Sequence, residues 1–474
     1  MDATGRIRYL NIEGLHEQFD VELEFNSGLN IIYGKNGRGK TTVLHIIANT
    51  LELAFERFKY LSFRTIILKN FSDDKLEIVK NEKGVILAFF NDQLCVRGGI
   101  LVDGYENRIR ASFGPTPTYL PAFRSVLERM RDANYRTDSA ESEFAIIEKQ
   151  EFESIRNFEN STTSRTRFFH QFREEAALTA RKTVQCRQWF GPFIPIVRYP
   201  SIAEVNEGLT EEWNDAQLEI ARLEQNVFAE VFIKVFRAIV GMDTPKNSAL
   251  HSDSLLSLIS DSLSDEDDQE ENSDYQLGNH KTDFIYRQLS EAMDFMQRNA
   301  GKNAQETETA VLMLYLEMLT RRKQERRAAL QKTREFEISV NKFLDSKKFT
   351  IGTTVKKAPY RRESISVKSA GGNAYGPSAL SSGEKQILTM LYSASRTRHK
   401  TGLFLIDEPE LSLHIDWQRI ILKELIAQSP DRQIIACTHS PEVGAEHFYE
   451  TQSFEPKPTR VMQIPLFPDE AIEE

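Results

Sequence analysis

Polar and apolar residues alternate over residues 6–33 in short runs. Ile7-Arg8-Tyr9-Leu10-Asn11-Ile12 is the first, and Phe19-Asp20-Val21-Glu22-Leu23-Glu24-Phe25 the second, with Phe, Val, Leu and Phe on one face. A period of two predicts half-buried strands. Asn26-Ser27-Gly28 reads as a turn, and Gly28-Leu29-Asn30-Ile31-Ile32-Tyr33 as a third, more apolar strand. A helical pattern then opens at Thr42-Val43-Leu44-His45-Ile46-Ile47-Ala48 and is expected to run to about Phe58. Alternation returns over 63–103, in Thr65-Ile66-Ile67-Leu68, Leu76-Glu77-Ile78-Val79 and Val85-Ile86-Leu87-Ala88-Phe89-Phe90. Asn81-Glu82-Lys83-Gly84 has hairpin-turn chemistry. A small antiparallel sheet is expected there.

From Ser125 to about Asn341 the period becomes helical. Glu211 to Val240 is the strongest stretch, with apolar residues at Leu218, Ala221, Leu223, Val227, Phe228, Val231, Phe232 and Val235. Residues 261–274 are acidic and lack apolar anchors, the composition of a solvated loop between helices. Further helices are expected at Asp283–Arg298 and Glu306–Leu344, the latter about 60 Å long if unbroken. Its apolar stripe (Leu312, Leu316, Leu319, Leu330) is interrupted by Arg321-Arg322-Lys323 and Arg326-Arg327, and no a/d heptad is sustained. Strand patterns resume at Lys348–Ile351 and Glu363–Val367, and helix and strand alternate from Ala370 onward. The expected fold is α/β. It has an N-terminal lobe over 1–124, a helical insertion with at most a short coiled-coil hairpin over 125–345, and a C-terminal lobe over 346–474.

Composition narrows the class. With 474 residues the chain can bury a full core, and 40% hydrophobic with 27% charged residues is ordinary for a soluble protein. A net charge of -10 argues against a protein that coats nucleic acid with its whole surface, but leaves room for a local basic groove. Cys95, Cys186 and Cys437 are far apart and form no C-x-x-C, so neither a zinc site nor a disulfide framework is indicated. No apolar signal region or run of about 18 apolar residues is present, which points to a cytoplasmic protein without membrane contact.

The chemistry centres on Gly34-Lys35-Asn36-Gly37-Arg38-Gly39-Lys40-Thr41, which fits G-x-x-x-x-G-K-[ST] between a strand and a helix. The loop from Gly34 through Asn36, Gly37 and Gly39 would turn backbone N–H groups toward phosphates. Lys40 would reach the β- and γ-phosphates, Thr41 would offer its hydroxyl to Mg²⁺, and Thr42 would complete the helix start. Leu403-Phe404-Leu405-Ile406-Asp407-Glu408 reads as a buried parallel strand ending in two acids. Asp407 would hold Mg²⁺, and Glu408 would polarise or orient an attacking water. Ala379-Leu380-Ser381-Ser382-Gly383-Glu384 opens a helix whose N-terminus could bind an anion, and also reads as an ordinary serine N-cap. Gln433–Thr438 is another apolar strand, and His439 at its end could face a γ-phosphate or simply cap the strand.

These four elements, in this order and with a long insertion after the first, resemble the ABC-type ATPases of the SMC/Rad50/RecF/OLD group. The resemblance implies an ATPase that uses ATP and Mg²⁺. It casts Leu380–Glu384 as the signature motif, Ser381 and Gly383 contacting ATP held by another subunit, Glu410–His414 as the D-loop, and His439 as the switch histidine. It implies at least a head-to-head dimer with composite ATP sites. No glutamine is assignable to the Q-loop. Rad50-length arms with their zinc hook are absent, and the short tail after His439 has no room for a Toprim domain of the OLD kind.

The compact size, the phosphate loop, Leu120-Pro121-Ala122-Phe123-Arg124 and the C-terminal layout most resemble ATPase subunits of bacterial anti-phage systems, the AriA type of PARIS first and the PtuA type of Septu as its rival. That implies a scaffold holding a separately encoded effector, an AriB-like Toprim protein or an HNH nuclease, and answering to a phage trigger protein. The alternative is a Rad50- or RecF-like DNA-binding ATPase of repair or end processing. Basic clusters speak for it: Arg165, Arg167, Arg173, Arg181, Lys182 and Arg187; Arg321 to Lys332; and Lys356-Lys357 with Arg361-Arg362. The interleaved Glu174, Glu175 and Glu325 equally suit solvated helix faces.

Overall fold

The structure is a computed structural model and describes residues 5–127, 138–159, 167–239, 258, 302–358, 361–395 and 402–459. The acidic stretch 261–274 and the helix expected at 283–298 lie outside the described residues. The chain divides into two compact units, Met1–Ser201 with Ser381–Glu474, and Ile202–Leu380.

The first unit opens with strands β1 (Ile7–Leu15), β2 (Phe19–Glu24) and β3 (Leu29–Tyr33), followed by helix α1 (Lys40–Leu51). It continues with β4 (Thr65–Asn70), β5 (Lys75–Lys80), β6 (Ile86–Phe90), β7 (Gln93–Arg97), β8 (Ile100–Leu101), α2 (Tyr105–Phe113), β9 (Thr118–Leu120) and α3 (Arg124–Leu127). Helices α4 (Asp138–Glu159) and α5 (Arg167–Phe190) complete its N-terminal part. The second unit contains α6 (Ile202–Ile239), α7 (Lys302–Asn341), β10 (Lys347–Ala358), β11 (Arg361–Ser369) and β12 (Ala374–Tyr375). The chain then returns to the first unit with α8 (Ser382–Ser395), β13 (Leu403–Asp407), α9 (Ile415–Gln428), β14 (Gln433–Thr438), β15 (Thr451–Ser453) and β16 (Lys457–Pro458). The fold class is α/β, with mixed sheets and flanking helices.

Two sheets build the first unit. β1, β2, β4–β8 and β16 form an antiparallel sheet in the order β16-β2-β1-β4-β5-β6-β7-β8. The expected hairpin is present: Asn81 O accepts from Gly84 N, and Asn81 Oδ1 accepts from Lys83 N and Val85 N. The other sheet is parallel, in the order β15-β3-β14-β13-β9. Its central strands are apolar on both faces: Leu403 to Asp407 and Gln433 to Thr438 are buried throughout. This is why they read as continuous runs rather than alternations. Helix α1 is shorter than its periodicity predicts. It ends at Leu51, because Leu53 takes a left-handed φ of 59°, and Phe55–Tyr60 follows as a separate 3₁₀ turn.

Helices α4 and α5 belong to the first unit, although the sequence places everything from 125 to 345 in one insertion. The reason is a buried polar strap over residues 192–199. Arg198 pairs with Glu52 at the end of α1 and with Glu151 of α4, each at 2.7 Å, with side chains 18%, 1% and 3% exposed. Asn49 Nδ2 donates to Phe193 O, and Tyr199 OH lies 2.6 Å from Thr389 Oγ1 on α8.

In the second unit, α6 and α7 pair through Ala216, Ile220 and Leu330, and through the ion pairs Arg321–Glu230, Arg322–Glu224 and Lys234–Glu317. The buried face of α6 carries Leu209, Ala216, Ile220, Val227 and Val231, whereas Leu218 is 58% exposed. The face is therefore rotated from the expected one at its N-terminal half, because Trp213, Ala216 and Ile220 meet α7 there. The β10–β11 hairpin packs on these helices. Trp213 closes over Gly352, Phe336 meets Phe349, and Asn341 bonds both backbone atoms of Phe349.

Candidate nucleotide-binding site

Strand order decides the site. β3, β14 and β13 lie side by side and parallel, with Tyr33 opposite Thr438 and Cys437 opposite Asp407. Their C-terminal ends therefore converge, which is where open parallel sheets present ligands. The phosphate loop leaves β3 with Gly34 N donating to Thr438 O. Gly37 and Gly39 adopt φ of 75° and 98°, conformations that leave the loop amides turned inward. Gly39 precedes α1 without any side-chain cap, and no acid lies in the first turn, so the helix start is open to an anion.

Lys40 is buried, with Nζ donating to Gly34 O at 2.7 Å and Lys35 O at 3.0 Å. The ammonium is thus curled back over its own loop, with a third N–H to spend on a ligand. Thr41 Oγ1 donates to Asp407 Oδ2 at 2.9 Å and lies 3.1 Å from Oδ1. Burial pushes the Asp407 carboxyl up to about 7; Glu408 adds to the rise, while the Thr41 hydroxyl opposes it. A carboxylate driven toward neutrality and bonded to the Thr41 hydroxyl suits a site that gains a divalent cation. Thr41 and Asp407 are the residues that would hold Mg²⁺, the remaining ligands being waters and phosphate oxygens. Asn36 and Gly37 are exposed at the loop tip, and Thr42 Oγ1 lies 3.3 Å from His16 Nε2 in the β1–β2 turn.

Glu408 follows with a left-handed φ of 46°. Its N–H donates to Cys437 O, and its side chain reaches His439, with Oε1 at 3.3 Å from Nδ1. Glu408 and His439, from separate strands, thus meet beside Thr41 and Asp407.

The structure gives individual contacts to two residues that the sequence reading placed only within segments, Arg124 and the Glu410 of the expected D-loop. Arg124 is fully buried and donates to the carbonyls of Asp407, Glu408 and Pro409 at 3.0, 2.8 and 3.0 Å. Glu410 accepts from Thr438 Oγ1, His439 N and Ser440 N. In the sequence Arg124 stands out only as the end of the Leu120-Pro121-Ala122-Phe123-Arg124 segment, with no contact assigned to it.

Ser381 and Gly383 sit at the start of α8. Ser381 N donates to Glu384 Oε2 at 2.6 Å, and Glu384 N donates to Ser381 Oγ at 3.4 Å, a capping box. A Cβ on Gly383 would stand 3.0 Å from Ser412 O and 3.2 Å from the Trp417 ring. Within the chain, the start of α8 is therefore joined to the Glu410–His414 loop, and its described contacts are there rather than with the phosphate loop.

Several members of the first two basic clusters are paired, and the side chains of Lys356, Lys357, Arg361 and Arg362 lie outside the described residues. Arg187 and Arg57 share Glu143, Arg173 faces Glu148, Lys182 donates to Tyr199 O, and Arg321 lies between Glu230 and Glu325. Among the described residues, no helix is long and apolar enough to cross a membrane.

Fold and site together define an α/β protein with a phosphate-loop motif at the C-terminal ends of a parallel sheet. A family model described as "AAA domain, putative AbiEii toxin, Type IV TA system" matches residues 234–445, a span that holds Ser381, Asp407, Glu408 and His439 but not the phosphate loop. The match supports an AAA-type domain over that span. Among solved structures, the chain is similar to the Smc head domain with an extended coiled coil bound to the C-terminal domain of ScpA from Pyrococcus furiosus (13% identity, TM-score 0.35, 93% of this chain and 91% of that one). It is also similar to the Smc head domain with a coiled coil and joint from Pyrococcus yayanosii (14% identity, TM-score 0.35, 93% of each chain). No curated protein matches the chain.

Proposed function

We propose that the chain binds and hydrolyses ATP with Mg²⁺, and that it serves in the cytoplasm as the sensor and scaffold of an anti-phage, abortive-infection complex. The observation that carries the ATPase part is the convergence of Lys40, Thr41, Asp407, Glu408 and His439 at the C-terminal ends of three neighbouring parallel strands. Lys40 neutralises the phosphates, and Thr41 and Asp407 hold the cation. Glu408 takes a proton from water as the water oxygen bonds to the γ-phosphorus and the bond to the β-phosphate bridging oxygen breaks. ADP and phosphate result. Ser381 and Gly383 complete the site of a second copy, so ATP acts as material of the interface between subunits.

The defence reading draws support from the toxin and Type IV TA system named in the matched family's description. In that reading the assembled state holds a separately encoded nuclease or toxin, and a phage product or DNA changes that state. The Rad50- or RecF-like alternative needs basic residues free for phosphates, and the pairing of Arg173, Arg187, Arg321 and Arg322 with carboxylates weakens it.

The test is a pull-down of Glu408→Gln protein with ATP from its native host, read by mass spectrometry. Recovery of one co-encoded nuclease or toxin at fixed stoichiometry is expected. Recovery of DNA or repair proteins without such an effector overturns the defence role.

A further inference from the structure

We infer that Glu410 is the positioning residue for His439, taking up its Nδ1–H so that Glu408 stays free to receive a proton from water. The inference rests on the ATPase reading above. Glu410 lies two residues beyond Glu408 in a tight turn, with Leu411 N bonded to Glu408 O and Leu413 N to Glu410 O. Its side chain is only 5% exposed. One oxygen, Oε1, accepts from Thr438 Oγ1 at 2.6 Å, His439 N at 3.0 Å and Ser440 N at 3.2 Å. Glu410 therefore fixes the end of β14 from which the imidazole projects.

The same oxygen is 3.2 Å from His439 Nδ1, and Glu408 Oε1 is 3.3 Å from it. A single N–H has good geometry toward only one of two acceptors. Donated to Glu408, it occupies a lone pair of the carboxylate that must receive the water's proton. Donated to Glu410, it leaves Glu408 available and sets the imidazole with Nε2 pointing away from both acids. Oε2 of Glu410 is buried with no hydrogen-bond partner among the described residues, so this carboxylate holds acceptor capacity in reserve. Such a buried, unspent acceptor suits a group that receives a donor when the site rearranges.

The experiment is a double-mutant cycle on the full chain, reading steady-state ATP hydrolysis and the Kd of a non-hydrolysable ATP analogue. Glu410→Ala is expected to lower kcat by about tenfold or more while KM and Kd stay within about twofold. Adding His439→Ala to Glu410→Ala is expected to cost less than about a further twofold, because residues acting as one unit are not additive. Glu410→Gln keeps an oxygen acceptor for Thr438 and the backbone amides, and is expected to fall between wild type and Glu410→Ala; it also replaces the alanine variant if that fails to fold. A Glu410 variant within about twofold of wild-type kcat, or losses that multiply fully with His439→Ala, overturns the inference.

Diethyl pyrocarbonate labelling, resolved by peptide mass spectrometry, reads the same claim without hydrolysis. Glu410→Ala is expected to change the labelling rate of His439 and not that of His16; an unchanged His439 rate overturns the inference. A wild-type chain that hydrolyses no ATP overturns the ATPase reading instead, and the labelling then decides the role of Glu410.

Discussion

At the scale of single residues, the backbone of Glu408 stands out. A left-handed φ of 46° costs a non-glycine residue about 1–3 kcal/mol, and such strain persists only where the surroundings over-determine it. Here Cys437 O takes the Glu408 amide and Arg124 takes the Glu408 carbonyl. The acid is thereby aimed at His439. Glu408→Gln is expected to retain ATP binding, to lose hydrolysis by about a hundredfold or more, and to accumulate an ATP-bound assembly. Lys40→Ala is expected to lose ATP binding itself. Fluorescent-nucleotide titration beside phosphate release separates the two; a Gln variant with wild-type turnover would place the base elsewhere.

His45 makes a second prediction at this scale. It lies on α1, bonded through Nε2 to the Tyr119 hydroxyl at 2.8 Å, and burial pulls its pKa down from 6.5 to about 3. Burial also keeps the Tyr119 hydroxyl protonated, so tyrosine donates and neutral imidazole accepts. Between pH 6.5 and about 3 the unfolded chain binds a proton at His45 that the folded chain does not. The stability of the neutral state is thus complete above 6.5 and is lost as pH falls toward 3. Asp407 runs the other way: its pKa rises on folding from 3.8 to about 7, so stability falls as pH rises through that window. Urea unfolding of the nucleotide-free chain should therefore lose its acid limb in His45→Gln, measured in an Asp407→Asn background; an unchanged limb would contradict the buried neutral imidazole.

At the scale of elements, the strap from Pro192 to Tyr199 links α1, α4 and α8. Its centre is the Arg198–Glu52–Glu151 triad. Removing the shared cation leaves two buried carboxylates facing each other, and breaking a buried pair by one partner costs about 3–5 kcal/mol. Arg198→Met is expected to destabilise by about that much, read as a lower urea midpoint at unchanged m-value. A loss under about 1 kcal/mol would mean that the triad contributes only as much as a surface pair.

Local periodicity showed most elements, because half-buried strands must alternate and buried parallel strands must not. It overran the end of α1, where Leu53 turns left-handed, and it misplaced one face of α6, where the partner helix selects among several apolar residues. It joined α4 and α5 to a single insertion, because the ion pairs that fasten them to the first unit leave no periodic trace.

At the scale of the whole molecule, the site formed by one chain includes the phosphate loop, Asp407, Glu408 and His439, while the described contacts of Ser381 and Gly383 lie with Glu384, Ser412 and Trp417. In the proposed function, their role toward ATP depends on a second copy. Ser381→Arg and Lys40→Ala are each expected to be inactive. In a mixture, a heterodimer pairing an intact phosphate loop with an intact Ser381 should restore up to about a quarter to a half of wild-type turnover, by random association of subunits. Mixing that never restores phosphate release would remove the composite site.

By itself the sequence determined the phosphate loop, the apolar strands that end in Asp407-Glu408 and Thr438-His439, and the expectation of an α/β ATPase. It could do so because glycine spacing, strand period and terminal acids are local chemistry. Only the tertiary structure decided that Thr41 meets Asp407 across 366 positions, that Arg124 holds the carbonyls beyond β13, and that Glu410 grips the end of β14. It also decided that Arg173, Arg187, Arg321 and Arg322 face neighbouring glutamates. Strand order and helix pairing set those contacts, and burial makes them count: a polar group removed from water must find its partner wherever the fold places one.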